Sequence, residues 1–317
     1  MPQGLHLLLF FTFILWPSTS VFSQGFSSRE IGFQNDNDVY LMIRQDQYYT
    51  NGLNFYYKKA VDSIKLSDRL QNKTWTINLG QKLYNASDGA VYSSRQVDRP
   101  ITGYTYIGGK ISWFTKKEEV ISLGTEVAII GPRALGKNIQ EGFHRTFRFY
   151  EINGWEYQLN NSLGIDAQAS YSRLLLRNRS KKLDAIIKGD VVLGLNNTRV
   201  SASTSFRWGR INRLFESVLL GSRIQSKSRQ SDKEFYLFYR PQIDWVLYNS
   251  TIQGGLLIAD KGPVVFDIKP IVFSQIVGFQ FATHSIGLNF SYTFNTNDVR
   301  SDASSHQYGT LSLAYYF

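Results

Sequence analysis

The sequence predicts an all-β fold: a transmembrane antiparallel β-barrel of about twelve strands behind an N-terminal signal peptide. Apolar and polar residues alternate with period two through segment after segment, the spacing of strands with two unlike faces. The chain carries 19 Tyr and 22 Phe yet has a mean hydropathy of −0.24. That combination is expected when only every second strand residue meets lipid. Charges such as Asp166, Lys188 and Asp190 fall at strand centres opposite uniformly apolar faces. A barrel with lipid outside and polar side chains inside accommodates them; a soluble sandwich rarely does.

The leader comes first. Leu5–Trp16 is apolar but shorter than the roughly 20 residues of a membrane-spanning helix. Small residues follow in Pro17–Ser23, so residues 1–23 read as a signal peptide and residues 24–317 as the exported barrel. Met1–His6 contains no Lys or Arg, a departure from the usual leader. Strand one is expected over Arg29–Gln34, ending in the polar cluster Asn35-Asp36-Asn37-Asp38. Strand two follows Thr50, with Leu53, Phe55 and Tyr57 on one face, and strand three sets Trp75, Ile77 and Leu79 against Thr74, Thr76 and Asn78. Strands four and five are expected over Ile101–Phe114 and Glu119–Ile130, joined by a tight Lys116-Lys117 turn. Later strands are centred on Leu163–Tyr171, Leu183–Leu193, Val200–Trp208, Glu234–Tyr248, Ile271–Ala282, Ser285–Phe294 and Leu311–Phe317. The terminal aromatic Phe317, with alternate apolar residues before it, resembles the assembly signal of bacterial outer-membrane barrels.

Residues 131–155 interrupt the pattern. A stretch of roughly 25 residues without period two, set between strands, is usually functional or disordered. It is read here as a loop.

Composition narrows the chemistry. Cysteine is absent, which excludes disulfides, zinc–thiolate sites and a cysteine nucleophile. The formal net charge of +10 suits an acidic partner. For an exported chain that partner is expected to be the phosphate-bearing lipid of a membrane surface, not nucleic acid, and the barrel is expected to be monomeric.

Strand parity locates a site. With both termini periplasmic and long loops outside, Asn35 and Asp36 end a rising strand and Thr50 begins a descending one. The 131–155 loop with His144 then lies at the same outer rim. By this reading Lys116-Lys117 and Asn196-Asn197-Thr198 are periplasmic turns. Taken singly, each residue has an ordinary reading: an exposed loop histidine, a solvated turn, a strand start. Taken together, a histidine beside a carboxylate is a general base toward water, and a carboxylate–amide cluster supplies the oxygen ligands Ca²⁺ prefers.

At these residues the sequence resembles the outer-membrane lipid A 3′-O-deacylases, the LpxR-type family. The matching elements are Asn35-Asp36, Tyr49-Thr50-Asn51-Gly52, Gly80-Gln81-x-x-Tyr84, Asp98-Arg99-Pro100-x-x-Gly103, Ile130-Gly131-Pro132, Gln140-x-x-x-His144-Arg145 and Gly154-Trp155-x-x-Gln158. They occur in family order and span about Asn35–Gln158. The resemblance implies a twelve-stranded barrel in the bacterial outer membrane, with its active site facing the outer leaflet. It also implies Ca²⁺-dependent hydrolysis that removes the 3′-linked acyloxyacyl group of lipid A from lipopolysaccharide. His144 would activate water, with Asn35, Asp36 and Thr50 in the catalytic constellation and Asn35 and Asp36 toward the metal. Arg133, Lys137 and Arg145 would meet lipid A phosphates, and Gln140, Glu151 and Arg95 are further candidates.

Two departures stand out. The family lysine thought to hold the oxyanion has no counterpart in Asn85–Val97, leaving Arg95 or Lys82 as substitutes. The acidic residue after the histidine is replaced by Tyr150, with Glu151 one place on. An outer-membrane phospholipase and a non-catalytic barrel, either a small pore or a surface-binding protein, are the alternative readings.

Overall fold

The structure, a computed structural model, describes residues 27–41, 47–62, 66–88, 91–148, 150–226 and 232–317. The signal peptide expected over residues 1–23 lies outside them. The strands are β1 Arg29–Asn37, β2 Tyr49–Ala60, β3 Leu70–Tyr84, β4 Thr102–Thr115, β5 Glu119–Ile130, β6 Ser162–Arg177, β7 Leu183–Gly194, β8 Asn197–Arg210, β9 Glu234–Asn249, β10 Ile271–Ala282, β11 Ile286–Asn295 and β12 His306–Tyr316. Each pairs antiparallel with its sequence neighbours, and β1 pairs with β12 through Asn35↔Leu311, so the twelve strands close into one barrel. Closure leaves no strand edge with unpaired backbone groups.

Alternation sets the two faces. Along β6, Leu163 and Ile165 are 66% and 54% exposed, while Asp166 between β6 neighbours is 2% exposed. The same pattern exposes Ile77 and Leu79 on β3 and Trp245 on β9. A continuous apolar outer wall of this kind has no place in water. No helix among the described residues is long and apolar enough to cross a membrane.

The two ends of the barrel differ. At one end the termini meet, with the Ser28 and Arg29 amides donating to the Phe317 carbonyl. The long polar stretch after β8 folds into the lumen at this end as a plug. Leu214 and Phe215 pack on Phe114, Val120 and Ile186, and Asn72 Nδ2 donates to the carbonyls of Ser222 and Ile224. Plug and wall are stitched together by buried charge. Arg207, fully buried, donates to Asp184 at 2.7 Å and to Glu234 at 3.3 Å. Glu234 in turn accepts from the Asn212 and Val218 amides. At the opposite end Arg99 ties three loops together: it stacks over Tyr84 and donates to Thr251 and Asp298.

Three expectations change. Strand β1 runs to Asn37, so Asn35 and Asp36 lie within the strand, not after it. The β7–β8 turn at Asn196 lies at the end opposite Lys116-Lys117, where Asn196 accepts from the Ser250 amide of the β9–β10 connection. The two turns are three strands apart, and an odd separation puts hairpin turns at opposite ends. Residues 131–155 are not an unstructured loop, because Gly136–Phe147 forms a helix, α1. A second short helix, α2, spans Ser250–Gln253.

Candidate active site between the outer wall and a surface helix

Strand β5 ends where Gly131 turns at φ 86°, a left-handed conformation that glycine adopts without a Cβ penalty. Pro132 then starts a short turn that leads into α1. This segment lies on the outside of the barrel, over β3 and β4. The Ala134 carbonyl accepts from Thr105 Oγ1 at 2.8 Å and from Gln81 Nε2. Helix and wall meet at two glycines. A Cβ on Gly136 would come within 2.7 Å of Trp155 Cη2 and 2.9 Å of Gly103 Cα. The motif glycine at 103 is therefore a contact point for the helix. A small core built from Leu83, Ala86, Val91, Ile101, Ile152 and Trp155 holds the segment there.

The helix has three faces. Gly136, Gln140 and His144, four apart, are buried. Gln140 Oε1 accepts from Trp155 Nε1 at 3.0 Å, which fixes the roll of the helix. Leu135, Ile139 and Phe143, also four apart, are exposed. Lys137, Glu141 and Arg145 form the third face, with Lys137 and Glu141 3.7 Å apart. A helix that hides a polar stripe against the wall and exposes an apolar one is arranged for lipid surroundings.

His144 is 7% exposed. Its Nδ1 lies 2.9 Å from the Tyr150 carbonyl oxygen. A carbonyl only accepts, so Nδ1 carries the proton. In the neutral ring, Nε2 then holds the lone pair that can take a proton. The Tyr150 ring packs edge-on against the imidazole at 4.9 Å. The ring orientation a general base requires is thus set by backbone and aromatic contacts.

Asn35 sits on the outer face of β1, on the same side as Ile31 and Phe33. Its Nδ2 donates to Asn51 Oδ1 at 3.2 Å and to the Gly52 carbonyl at 3.1 Å. Tyr40 donates to its Oδ1 at 2.7 Å. Burial, and secondarily the Asp36 charge, raise the Tyr40 pKa above the usual phenol range, so Tyr40 remains a donor. Next along, the β2–β3 register shifts between Tyr49 and Asn51. Thr50 is 2% exposed there, and its Oγ1 accepts from Asn85 Nδ2 at 3.4 Å. Asn35, Asn51, Thr50 and Asn85 form a polar string on the rim of β1–β3, beside the strands that α1 covers. Asn51 and Asn85 were not singled out in the sequence, although Asn51 lies inside the Tyr49–Gly52 motif.

The other expected residues are placed differently. Asp36, adjacent to Asn35 in a strand, faces the lumen. Its carboxylate accepts from Tyr49 at 2.7 Å, Thr310 at 2.9 Å and Gln34 at 3.0 Å. Strand alternation thus turns Asp36 away from Asn35, although both were expected toward the metal. Lys82 also points inward, over the Tyr104 and Tyr106 rings, so it is not an outer-wall donor. Arg95 is exposed in the β3–β4 connection, and Glu151 is exposed beyond α1. Arg133, Lys137 and Arg145 are exposed.

The donors on the rim fit a Ca²⁺ ion in kind. Side-chain oxygens of Asn35, Asn51 and Thr50 and the Gly52 carbonyl are hard oxygen ligands. Among the described residues no group of three acidic or histidine side chains gathers around a metal position.

A family profile described as outer membrane protein LpxR matches residues 5–317. No curated protein matches the chain. Among solved structures, LpxR from Salmonella typhimurium superposes with a TM-score of 0.73 at 17% identity, covering 91% of this chain and 100% of the other. The beta domain of the Bordetella autotransporter BrkA superposes with a TM-score of 0.51 at 11% identity, covering 92% and 99%. At these identities the superpositions speak for the barrel fold.

Proposed function

The chain belongs to the LpxR family of outer-membrane proteins, and from that premise we propose that it is a Ca²⁺-dependent lipid A 3′-O-deacylase working on the outside of its own barrel wall. The observation that carries this reading is the buried His144, its tautomer fixed by the Tyr150 carbonyl, on a helix that exposes Leu135, Ile139 and Phe143. A base placed between wall and helix meets a lipid head group without passing through the lumen. The apolar edge of α1 would rest among acyl chains, with Lys137, Arg145 and the nearby Arg133 toward the phosphates of lipid A. The rim would then face the outer leaflet.

In this mechanism Nε2 of His144 takes a proton from water as the water oxygen attacks the ester carbonyl carbon. The tetrahedral intermediate collapses with cleavage of the bond to the sugar oxygen, which recovers the proton from the imidazolium. Asn35 and Thr50, with Asn51, orient the ester along the rim. Bound there by the Asn35, Asn51, Thr50 and Gly52 oxygens, with Asp36 adding negative charge, Ca²⁺ would supply Lewis-acid polarisation of the carbonyl.

Purified protein in detergent with Ca²⁺ is expected to release an acyloxyacyl acid from lipid A. Phospholipid in the same detergent should stay intact, whereas release of fatty acid from it would move the reading to a phospholipase. Chelation should stop the reaction, and Asn35→Ala should raise the Ca²⁺ concentration needed for half-maximal rate; insensitivity to both would remove the ion from the mechanism. A second expected result concerns the helix seat. Gly136→Val forces α1 off Gly103 and Trp155, and a displacement of about 1 Å can cost on the order of 10²-fold in rate. The fall should occur with an unchanged unfolding midpoint, because the barrel closes without α1. An open pore is disfavoured by the plug at the terminal end, where Leu214 and Ile224 are fully buried.

A further inference from the structure

The lipid-facing wall of β1–β4 carries an uneven charge at the terminal end, which is the periplasmic end in bacterial barrels. Glu30 and Lys58 meet inside the lumen at 3.0 Å, so strand alternation turns their neighbours Arg29 and Lys59 outward. Those two cations are direct cross-strand partners in the β1–β2 register. Lys59 lies opposite Trp75 on β3, and Lys73, two residues before Trp75, shares its face. Lys73 lies opposite Trp113 on β4, with its Nζ 5.3 Å from the ring centre. Tyr57, on the lipid side of β2, packs against Trp75 at 5.4 Å.

Directly opposed side chains in a sheet have Cβ atoms about 5 Å apart, and diagonal ones about 7–8 Å. Arg29, Lys59 and Lys73 are therefore within the span of one phospholipid head group, and their long stems let the charges reach the head-group level. Like charges directly opposite each other are destabilising, and this wall does not offset them. The outward positions of β1–β4 hold no Asp or Glu. Glu30 and Asp36 face the lumen, and Asp62 and Asp68 lie past the strand ends in the β2–β3 connection. Farther round the same belt the charge is matched, since Arg173 on β6 lies opposite Glu119 on β5. On β8, β9 and β12 the belt presents Trp208, Phe235 and Tyr315.

A head group with net negative charge relieves the repulsion between Arg29 and Lys59, and Tyr and Trp rings settle at the depth where head group meets acyl chain. We propose that Arg29, Lys59 and Lys73, framed by Tyr57, Trp75 and Trp113, form a binding site for an anionic phospholipid of the periplasmic leaflet. The site lies at the opposite end of the wall from Asn35 and Thr50 and is independent of the reaction there.

Native mass spectrometry of the full barrel, released from detergent containing equimolar phosphatidylglycerol and phosphatidylcholine, tests the site. The native protein is expected to retain phosphatidylglycerol over phosphatidylcholine by on the order of tenfold, and Lys59→Gln to lower that preference about fivefold, the contribution of one cation at an anionic lipid surface. The Arg29→Gln, Lys59→Gln double variant should show no preference. The Arg173→Gln, Arg210→Gln double variant removes the same net charge from β6 and β8 and should keep the native preference. All of these side chains lie outside the lumen, and unchanged heat-modifiable migration on gels identifies each variant as a closed barrel. Equal retention of the two lipids by the native protein, or equal losses in the two double variants, would overturn the proposal.

Discussion

Replacing His144 by alanine is expected to lower lipid A hydrolysis by about 10²–10⁴-fold, the usual contribution of a positioned general base. The barrel should remain folded, since α1 is seated on the wall from outside and the strand pairing from β1 to β12 does not involve it. The physical reason lies in the Tyr150 carbonyl. Its bond to Nδ1 at 2.9 Å leaves Nε2 as the nitrogen that accepts a proton, so no other side chain is needed to select the tautomer. A variant with native activity would remove His144 from the chemistry.

The second large effect is on stability. Arg207→Met removes the cation that joins Asp184 and Glu234, all three 0% exposed. Asp184 keeps Arg177 at 2.9 Å, but Glu234 is left with neutral donors only, from Ser217, Asn212 and Val218. Breaking a buried pair from one side typically costs roughly 3–5 kcal/mol, because the remaining charge stays desolvated. The urea midpoint for unfolding from micelles should fall accordingly, and the plug should become accessible to protease at the terminal end. An unchanged midpoint would mean that water reaches Glu234 and that the network carries little of the stability.

The barrel was legible because every strand presents an apolar stripe to lipid and a polar one to the lumen; Leu163, Ile165 and Asp166 show it within four residues. The 131–155 segment was harder to read. Leu135, Ile139 and Phe143 have helical spacing, but Gly131, Pro132, Gly136 and Gly142 break the surrounding pattern. The face of α1 that packs on protein is Gly136, Gln140 and His144, which no search for an apolar core would select. The plug was read only as polar chain, since the groups that bury it, Arg207, Asp184 and Glu234, are charged and lie on the wall strands β7, β8 and β9, outside the stretch itself. The site was half legible. Ordered motifs pointed to Asn35, Thr50 and His144, yet ending β1 at Gln34 hid the alternation that turns Asp36 inward. Asn85 became visible only through its contact with Thr50, across the β2–β3 pairing.

The most direct test is the mass spectrum of lipid A from Gram-negative cells producing this protein, set beside cells producing the His144→Ala form at equal outer-membrane abundance. Loss of one acyloxyacyl unit in the first and an unmodified spectrum in the second is the predicted result. Unmodified lipid A in both, with the native barrel folded and supplied with Ca²⁺, would contradict it.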